Sequence, residues 1–429
     1  MNPLRSGAIV GLCITMLLLQ GCSSWQVNQL AITLPTNGPE KTLAQLQRID
    51  SPKRDQAQYL LNGGILKFYT GDLQGALQDL EQAKEIMSAL DAVSITENLS
   101  ALTTNETLRS YTGSPSDRIL VHLMLSLSYL FSGDLDGARV EMLQANVTMK
   151  QLDDGSSVSG QLASVRFLAG VIYEIQGELD DAYISYRRAL SIVQERQEPV
   201  PDGLLMSLLE VAQRSGREQE YQDLKDRYKV SSVKDTADKG HWVVFYFDGV
   251  VSAKSETRTS VFDAEVGTMV SIVLPRYGRS LYRPSPLLLR MGTTEKSTEV
   301  IEPMEARVRE DLDRDQGKRV AAATVRAVAK YQLVREASSK DDFGGFLANI
   351  FTVVTEQADV RSWNMLPASV QVARISGPLN SSLNLSPAQF ALPSLQQLGK
   401  ERLGVVLLNS LNARVYQYPV PQGDTHEEP

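Results

Sequence analysis

Three turn glycines, Gly71, Gly133 and Gly177, share one register with a set of small residues, and that register constrains the first half of the chain more than any other feature. Aligning them brings Gly64, Ser126 and Gly170 together seven residues earlier. Ala76, Ala138 and Ala182 fall five residues later, and Ala83, Ala145 and Ala189 fall twelve later. The phrases Thr70-Gly71-Asp72-Leu73, Ser132-Gly133-Asp134-Leu135 and Gln176-Gly177-Glu178-Leu179 mark the same corner each time. Small side chains at such offsets let two antiparallel helices cross closely, and glycine lets the chain reverse between them. The acidic residue just after each glycine suits the positive end of the second helix.

Helix-turn-helix units repeated in this way resemble the tetratricopeptide repeat. Tyr129 and Tyr173 occupy the aromatic position of its first helix and Tyr186 that of its second. A fourth, weaker copy runs from about Leu204 to Tyr228, with Gly216 at the corner and Tyr221 where a small residue belongs. The glycine spacings of 62 and 44 residues exceed the family's usual 34, which places insertions near Asp91 to Pro115 and Asp153 to Gln161. The first insertion, rich in Ser, Thr and Asn, is expected to be a loop or an extra degenerate helix pair. The resemblance implies a solenoid over residues 54–230 whose concave surface takes an extended peptide or a partner helix. Tyr129 and Tyr173 suit packing as well as ligand contact.

At His241 the pattern changes to continuous β-formers, Trp242 to Phe247, closed by Asp248-Gly249. Further strands are expected at Thr268 to Leu274, Leu287 to Met291, Ala368 to Ile375, Leu403 to Asn409 and Ala413 to Tyr418, the last two as a hairpin. Helical stretches lie between them at Glu302 to Asp315, Lys318 to Ala337 and Phe343 to Gln357. The expected fold is therefore multidomain: an all-α repeat solenoid, an α+β domain over residues 240–420 and a disordered tail at 421–429.

The N-terminus reads as an address. Arg5 precedes an apolar stretch from Ala8 to Leu19, too short to span a membrane, and then Leu19-Gln20-Gly21-Cys22. This resembles the lipobox of bacterial lipoproteins, which implies that residues 1–21 are removed and that Cys22 is acylated. Several acyl chains on one residue give stable anchoring. Ser23 and Ser24, in place of an aspartate after the cysteine, favour the outer membrane, with the chain facing the periplasm. Trp25 to Lys53, polar and broken by Pro35, Gly38 and Pro39, reads as a spacer ending in a short helix at Leu43 to Ile49. Cys13 leaves with the signal, so the mature chain has no free thiol for disulfides, thiolate catalysis or metal binding.

Without the signal, 42 basic residues face 51 acidic ones, a balance unsuited to nucleic acid. His122, His241 and His426 stand far apart without ligand spacing, so no metal is expected and no cofactor is implied. No nucleophile elbow, phosphate loop or zinc-binding helix motif appears. Two constellations remain. Arg319, Arg326 and Lys330 line up as a cationic stripe on a helix whose many apolar residues imply burial on several sides. The stripe suits an anion, but internal pairing with Glu310, Asp311, Asp313 or Asp315 is the favoured expectation. Asp359, Arg361 and Trp363 gather a carboxylate, a guanidinium and an indole in one turn-prone segment, as a pocket or, preferentially, as a structural corner.

In residues 359–367, in Phe247-Asp248-Gly249 and in Lys318-Arg319, the chain also resembles a family of large proteobacterial envelope lipoproteins. That resemblance implies location and architecture and brings no activity with it. The combined expectation is an outer-membrane lipoprotein that serves as a periplasmic adaptor, holding an envelope protein through its repeats. An enzyme acting on peptidoglycan or polysaccharide through the C-terminal domain is the alternative.

Overall fold

The structure is a computed structural model. It describes residues 22–94, 109–153, 158, 160–230, 239–263, 268–338, 357–378, 383–386 and 402–420. The signal segment, most of the first insertion, the helix expected at Phe343 to Gln357 and the tail at 421–429 lie outside the described residues, apart from Gln357.

The expected spacer is instead a pair of helices, α1 (Cys22–Asn37) and α2 (Pro39–Leu46). Val27, Ala31, Leu34 and Leu46 are buried in the main core. The breakers mark the corner between the helices: Gly38 takes a positive φ of 77° and Pro39 sits at the first position of α2, where its missing N–H costs nothing.

Four hairpins follow: α3 (Gln56–Thr70) with α4 (Leu73–Ser94), α5 (Pro115–Phe131) with α6 (Leu135–Leu152), α7 (Ala163–Ile175) with α8 (Leu179–Glu195), and α9 (Asp202–Arg214) with α10 (Glu218–Tyr228). Gly71, Gly133, Gly177 and Gly216 all have positive φ, and one backbone bond recurs at each corner. Asp72 N donates to Lys67 O, Asp134 N to Tyr129 O, Glu178 N to Tyr173 O and Arg217 N to Ala212 O. That bond satisfies a carbonyl that the helix end would leave orphaned. Ala76, Ala83, Ala138, Ala145, Ala182 and Ala189 are fully buried at the crossings. Ser126 Oγ donates to Ala138 O at 2.9 Å, and a Cβ on Gly170 would lie 2.5 Å from the Tyr186 ring. On Gly64 it would lie 2.7 Å from Leu80.

Beyond the repeats come β1 (Lys239–Asp248), β2 (Lys254–Asp263), β3 (Thr268–Tyr277), β4 (Leu288–Met291), β5 (Thr294–Ser297), β6 (Glu299–Glu302), α11 (Met304–Ser338), β7 (Ser369–Pro378), β8 (Leu383–Ser386), β9 (Leu403–Asn409) and β10 (Val415–Tyr418). Five strands form one mixed sheet in the order β10-β9-β1-β7-β6, with β1 parallel to β9 and antiparallel to β7. β5-β4-β8 form a second sheet, and β2-β3 a hairpin.

β1 shows why its sequence is continuously apolar. Val243, Phe245 and Phe247 join the core shared with the repeats, while Trp242, Val244 and Tyr246 join a second core with Leu289, Met291 and Leu385 of the small sheet. A strand buried on both faces has no polar side to display. The result is three layers, with the five-stranded sheet between the repeat helices and the small sheet.

Two helices were expected between Glu302 and Ala337, and one forms. α11 runs unbroken through Asp313 to Lys318, where nearly every residue is exposed and carries good helix formers around Gly317. Among the described side chains of α11, burial on several sides is not found either: Val320, Val325 and Val328 are exposed, and Ala323, Arg326 and Ala327 form the covered line.

The seam between helices and sheet is tight. A Cβ on Gly203 of α9 would lie 2.9 Å from the Ala373 backbone in β7. Gly203→Val should lower the melting temperature and cost about 1–3 kcal/mol, because overpacking against backbone cannot relax by a rotamer change. Thermal denaturation of the variant beside wild type checks this; equal melting would mean the helices and sheet are not in contact there.

Candidate functional site

The inner face of a repeat stack is lined by the first helix of each pair, and that face is where a partner was expected. Here it holds the protein's own sheet. Phe68 of α3 and Phe131 of α5 pack on Tyr416 of β10 with ring centroids 4.8 and 5.3 Å apart. Phe167 of α7 meets Phe245 of β1 edge to face at 5.6 Å. Tyr416 Oη donates to Phe68 O.

Polar groups pin the same seam. Arg374 of β7 reaches Glu174 of α7 through two bonds of 2.8 and 2.9 Å, and both side chains are buried. Arg214 and Tyr186 complete the shell of Glu174 at 3.0 and 2.9 Å. Burial opposes ionisation of Glu174, but Arg374 and then Arg214 outweigh it and hold the carboxyl below its ordinary range. Nearby, burial pushes the His241 imidazole down to about 3, which keeps it neutral beside Arg374.

Asp359, Arg361 and Trp363 are tied into the body of the protein. Arg361 pairs with Asp359 at 2.8 Å and with Asp55, just ahead of α3, at 2.8 Å, and it donates to Arg109 O at 2.8 Å. Burial works against the Asp359 carboxylate, and Arg361 more than offsets it, leaving the carboxyl below its usual range. Trp363 fills the core between them at 1% exposure. Gln58 of α3 donates to Ser362 O, and Met365 N donates to Asn62 Oδ1. The segment is the corner that locks β7 and the first repeat together.

The cationic stripe is divided. Arg326 is buried, Arg319 is half-buried, and the side chain of Lys330 lies outside the described residues. Two of the acids expected to answer it also have partners off the stripe. Glu310 pairs with Arg196 and Arg307, and Asp311 accepts from Ser116 N at 3.0 Å.

Among the described residues, what stays open is the outer side of the stack, made by the second helices. A groove of about 420 Å³ runs between α4 and α6, walled by Leu143 and Val147 and by Glu85 and Ser88. Its floor is a charged cluster. His122 Nδ1 lies 2.7 Å from Glu141 Oε2, and its Nε2 lies 3.3 Å from the Thr148 hydroxyl. Lys84 bridges Glu141 at 2.9 Å and Glu81 at 2.6 Å. Burial disfavours the charge on Glu141, yet the bonds from His122 and Lys84 prevail and its carboxyl is held low. Burial likewise works against the Lys84 ammonium, and Glu81 and Glu141 raise it above its ordinary value. Val140, Leu143, Val147 and, farther along, Ile184 are apolar and exposed on this side.

Thr148, His122 and Glu141 stand in the order hydroxyl, imidazole, carboxylate. All three sit within helices α5 and α6, whose interior N–H groups are spent on helix bonds. The arrangement suits recognition: a fixed charge pattern beside exposed apolar side chains.

Sequence reasoning did not gather this cluster, since residues 84, 122 and 141 are far apart. A signal was present. Glu141 lies three residues after Ala138 and four before Ala145, on the buried face of its helix, and Glu174 lies four after Gly170. A carboxylate on a buried face must be paired.

No protein-family model matches the chain, and no curated protein matches its sequence. Among solved structures, RapI is similar with a TM-score of 0.34 and 10% identity, over 45% of this chain and 50% of RapI. The chain thus spans half the length of RapI. BtubC from P. vanneervenii gives a TM-score of 0.33 and 19% identity, over 55% of this chain and 88% of BtubC. A Podosopora anserina chain of nearly identical TPR-like repeats gives 0.34 and 18%, over 47% and 91%. The four hairpins of this chain share one corner geometry, a positive-φ glycine closed by the same backbone bond.

Asp311 supplies a pH test of the seam between α11 and α5. Burial raises its carboxyl from 3.8 to about 6, with Asp117 adding to the shift. A carboxyl raised on folding destabilises the folded state once it ionises: stability is full below about 3.8 and is lost as pH rises to about 6. Asp311→Asn keeps the acceptor for Ser116 N and removes the charge. Its melting temperature should gain on wild type between pH 4 and 6 and then hold a constant lead, on the order of 2–3 kcal/mol. Melting curves across that range check it; a lead that is already complete at pH 4 would contradict it.

Proposed function

We propose that this protein is a lipid-anchored adaptor of the bacterial envelope that holds a protein partner on the outer side of its repeat stack. One observation carries the reading: the inner face is filled by the chain's own sheet, while the outer helices leave Val140, Leu143 and Val147 uncovered beside the Lys84–Glu141–His122 cluster. Apolar side chains exposed next to a groove with a fixed charge pattern are what a partner helix or peptide docks on. The partner surface expected on the concave side is thereby moved to the convex one.

The anchor is Cys22, by its lipobox, and Ser23 and Ser24 favour the outer membrane with the body in the periplasm. The fixed charge pattern of the outer groove beside exposed apolar side chains supports recognition.

The test is a double variant, Leu143→Glu with Val147→Glu. Both residues are exposed, so stability should change by no more than about 0.5 kcal/mol. Affinity purification from detergent-solubilised envelopes should recover a partner with the wild type and lose it with the variant at an unchanged melting temperature. Recovery of the same partner by both would overturn the assignment of this face.

A further inference from the structure

α1 begins at the residue that carries the anchor. Between Cys22 and Asn37 it contains no charged side chain. Its inward face, Val27, Ala31 and Leu34, is buried in the core. Its outward face presents Trp25 at 61% exposure and Ile32 at 58%, with exposed Gln29 between them. Steps of four and three residues put those three side chains on one line.

The helix is fixed to the body from its first turn. Ser23 Oγ donates to Asp55 Oδ2 at 3.0 Å, Asn28 Nδ2 donates to Lys254 O at 3.4 Å, and Asn364 donates to Asn28. No leash therefore separates the anchor from the folded protein. Along a helix each residue advances 1.5 Å, so Trp25 stands about 4.5 Å from Cys22 and Ile32 about 15 Å. Acyl chains on Cys22 would hold its backbone at the level of the lipid headgroups, and one turn away an exposed indole meets the interface that tryptophan favours. Exposed Lys53, two residues from the Asp55 that Ser23 contacts, adds a cation suited to anionic headgroups.

We infer that α1 lies flat on the phospholipid surface, with the face formed by Trp25, Gln29 and Ile32 seated in the headgroup region. This rests on the acylation of Cys22. The arrangement fixes the orientation of the whole body, since α1 belongs to its core. A helix standing on end at Cys22 would immerse Trp25 alone and leave Ile32 in water.

The chain carries its own probe. It has three tryptophans, and Trp242 and Trp363 are 3% and 1% exposed, so Trp25 alone can meet solvent or lipid. The experiment uses the full chain expressed in bacteria, purified in detergent and checked by mass spectrometry for acyl groups on Cys22. It is then reconstituted in vesicles of phosphatidylethanolamine and phosphatidylglycerol, with or without bromine on the upper acyl carbons. The expected result is a blue shift of tryptophan emission, quenching by the brominated lipid and shielding from iodide. Trp25→Phe should abolish the quenched component. An environment-sensitive dye on Ile32→Cys should be quenched as well.

Acylated, vesicle-bound protein whose Trp25 stays open to iodide and insensitive to bromine would overturn the inference while leaving the anchor in place. Quenching at position 25 with none at position 32 would overturn the flat orientation. Absence of acyl groups on Cys22 would remove the anchor and this inference together.

Discussion

The buried pairing of Glu174 with Arg374 ties the two halves of the chain directly. A carboxylate on the inner face of a repeat helix and a guanidinium on a central strand are both removed from water, and each meets the other through two bonds, with Arg214 adding a second cation to Glu174. Around them, Phe167 on Phe245 and Phe68 on Tyr416 extend one apolar core through both halves. The sheet is consequently an interior layer, covered on one side by the repeats and on the other by β5-β4-β8. Removing the repeats would expose a continuous face of Val, Phe and Leu side chains to water, and removing the sheet would take from Glu174 its bidentate partner and leave it Arg214 and Tyr186. Each half completes the other.

That constraint decides which surfaces are left for other molecules. A repeat stack whose inner face is occupied can recruit only through its outer helices or its ends. The outer groove has the features such a role needs, and its charged floor is itself built from neighbouring repeats: Lys84 from one hairpin, His122 and Glu141 from the next. The same logic applies at the opposite end of the chain, where α1 and α2 cap the first repeat and carry Cys22 on the body itself.

Much of this was legible in the sequence because close helix crossings demand small residues at fixed offsets. Ala76, Ala138 and Ala182 declared the hairpins, and Gly71, Gly133 and Gly177 their corners. β1 was legible because two covered faces require an unbroken apolar run. β2, with the sequence Lys-Ser-Glu-Thr-Arg-Thr, was not, since most of the side chains from Lys254 to Ser260 face solvent and the strand exists through its pairing with β3. The four-residue strands β5 and β8 are too short to show a period. α1 was misread because it carries no charged residue and runs into Pro35, Asn37, Gly38 and Pro39, which is also what a tether looks like. α11 was misread because a charge run containing Gly317 resembles a break, although a single exposed glycine costs a helix only about 1 kcal/mol. The floor of the groove depends on side chains brought together from three helices, and only the burial of Glu141 on its own helix hinted at it.

A double-mutant cycle on Glu174 and Arg374 measures the claim that the two halves are one folded unit. Glu174→Leu and Arg374→Met would be made singly and together in the full chain, with unfolding followed by denaturant. Each single variant should cost about 3–5 kcal/mol, because it leaves the other charge buried without its main partner. The double variant should cost clearly less than the two together, with a coupling of at least about 1.5 kcal/mol and one unfolding transition throughout. Costs that add within about 0.5 kcal/mol, or two separate transitions reporting the helices and the sheet independently, would contradict the account.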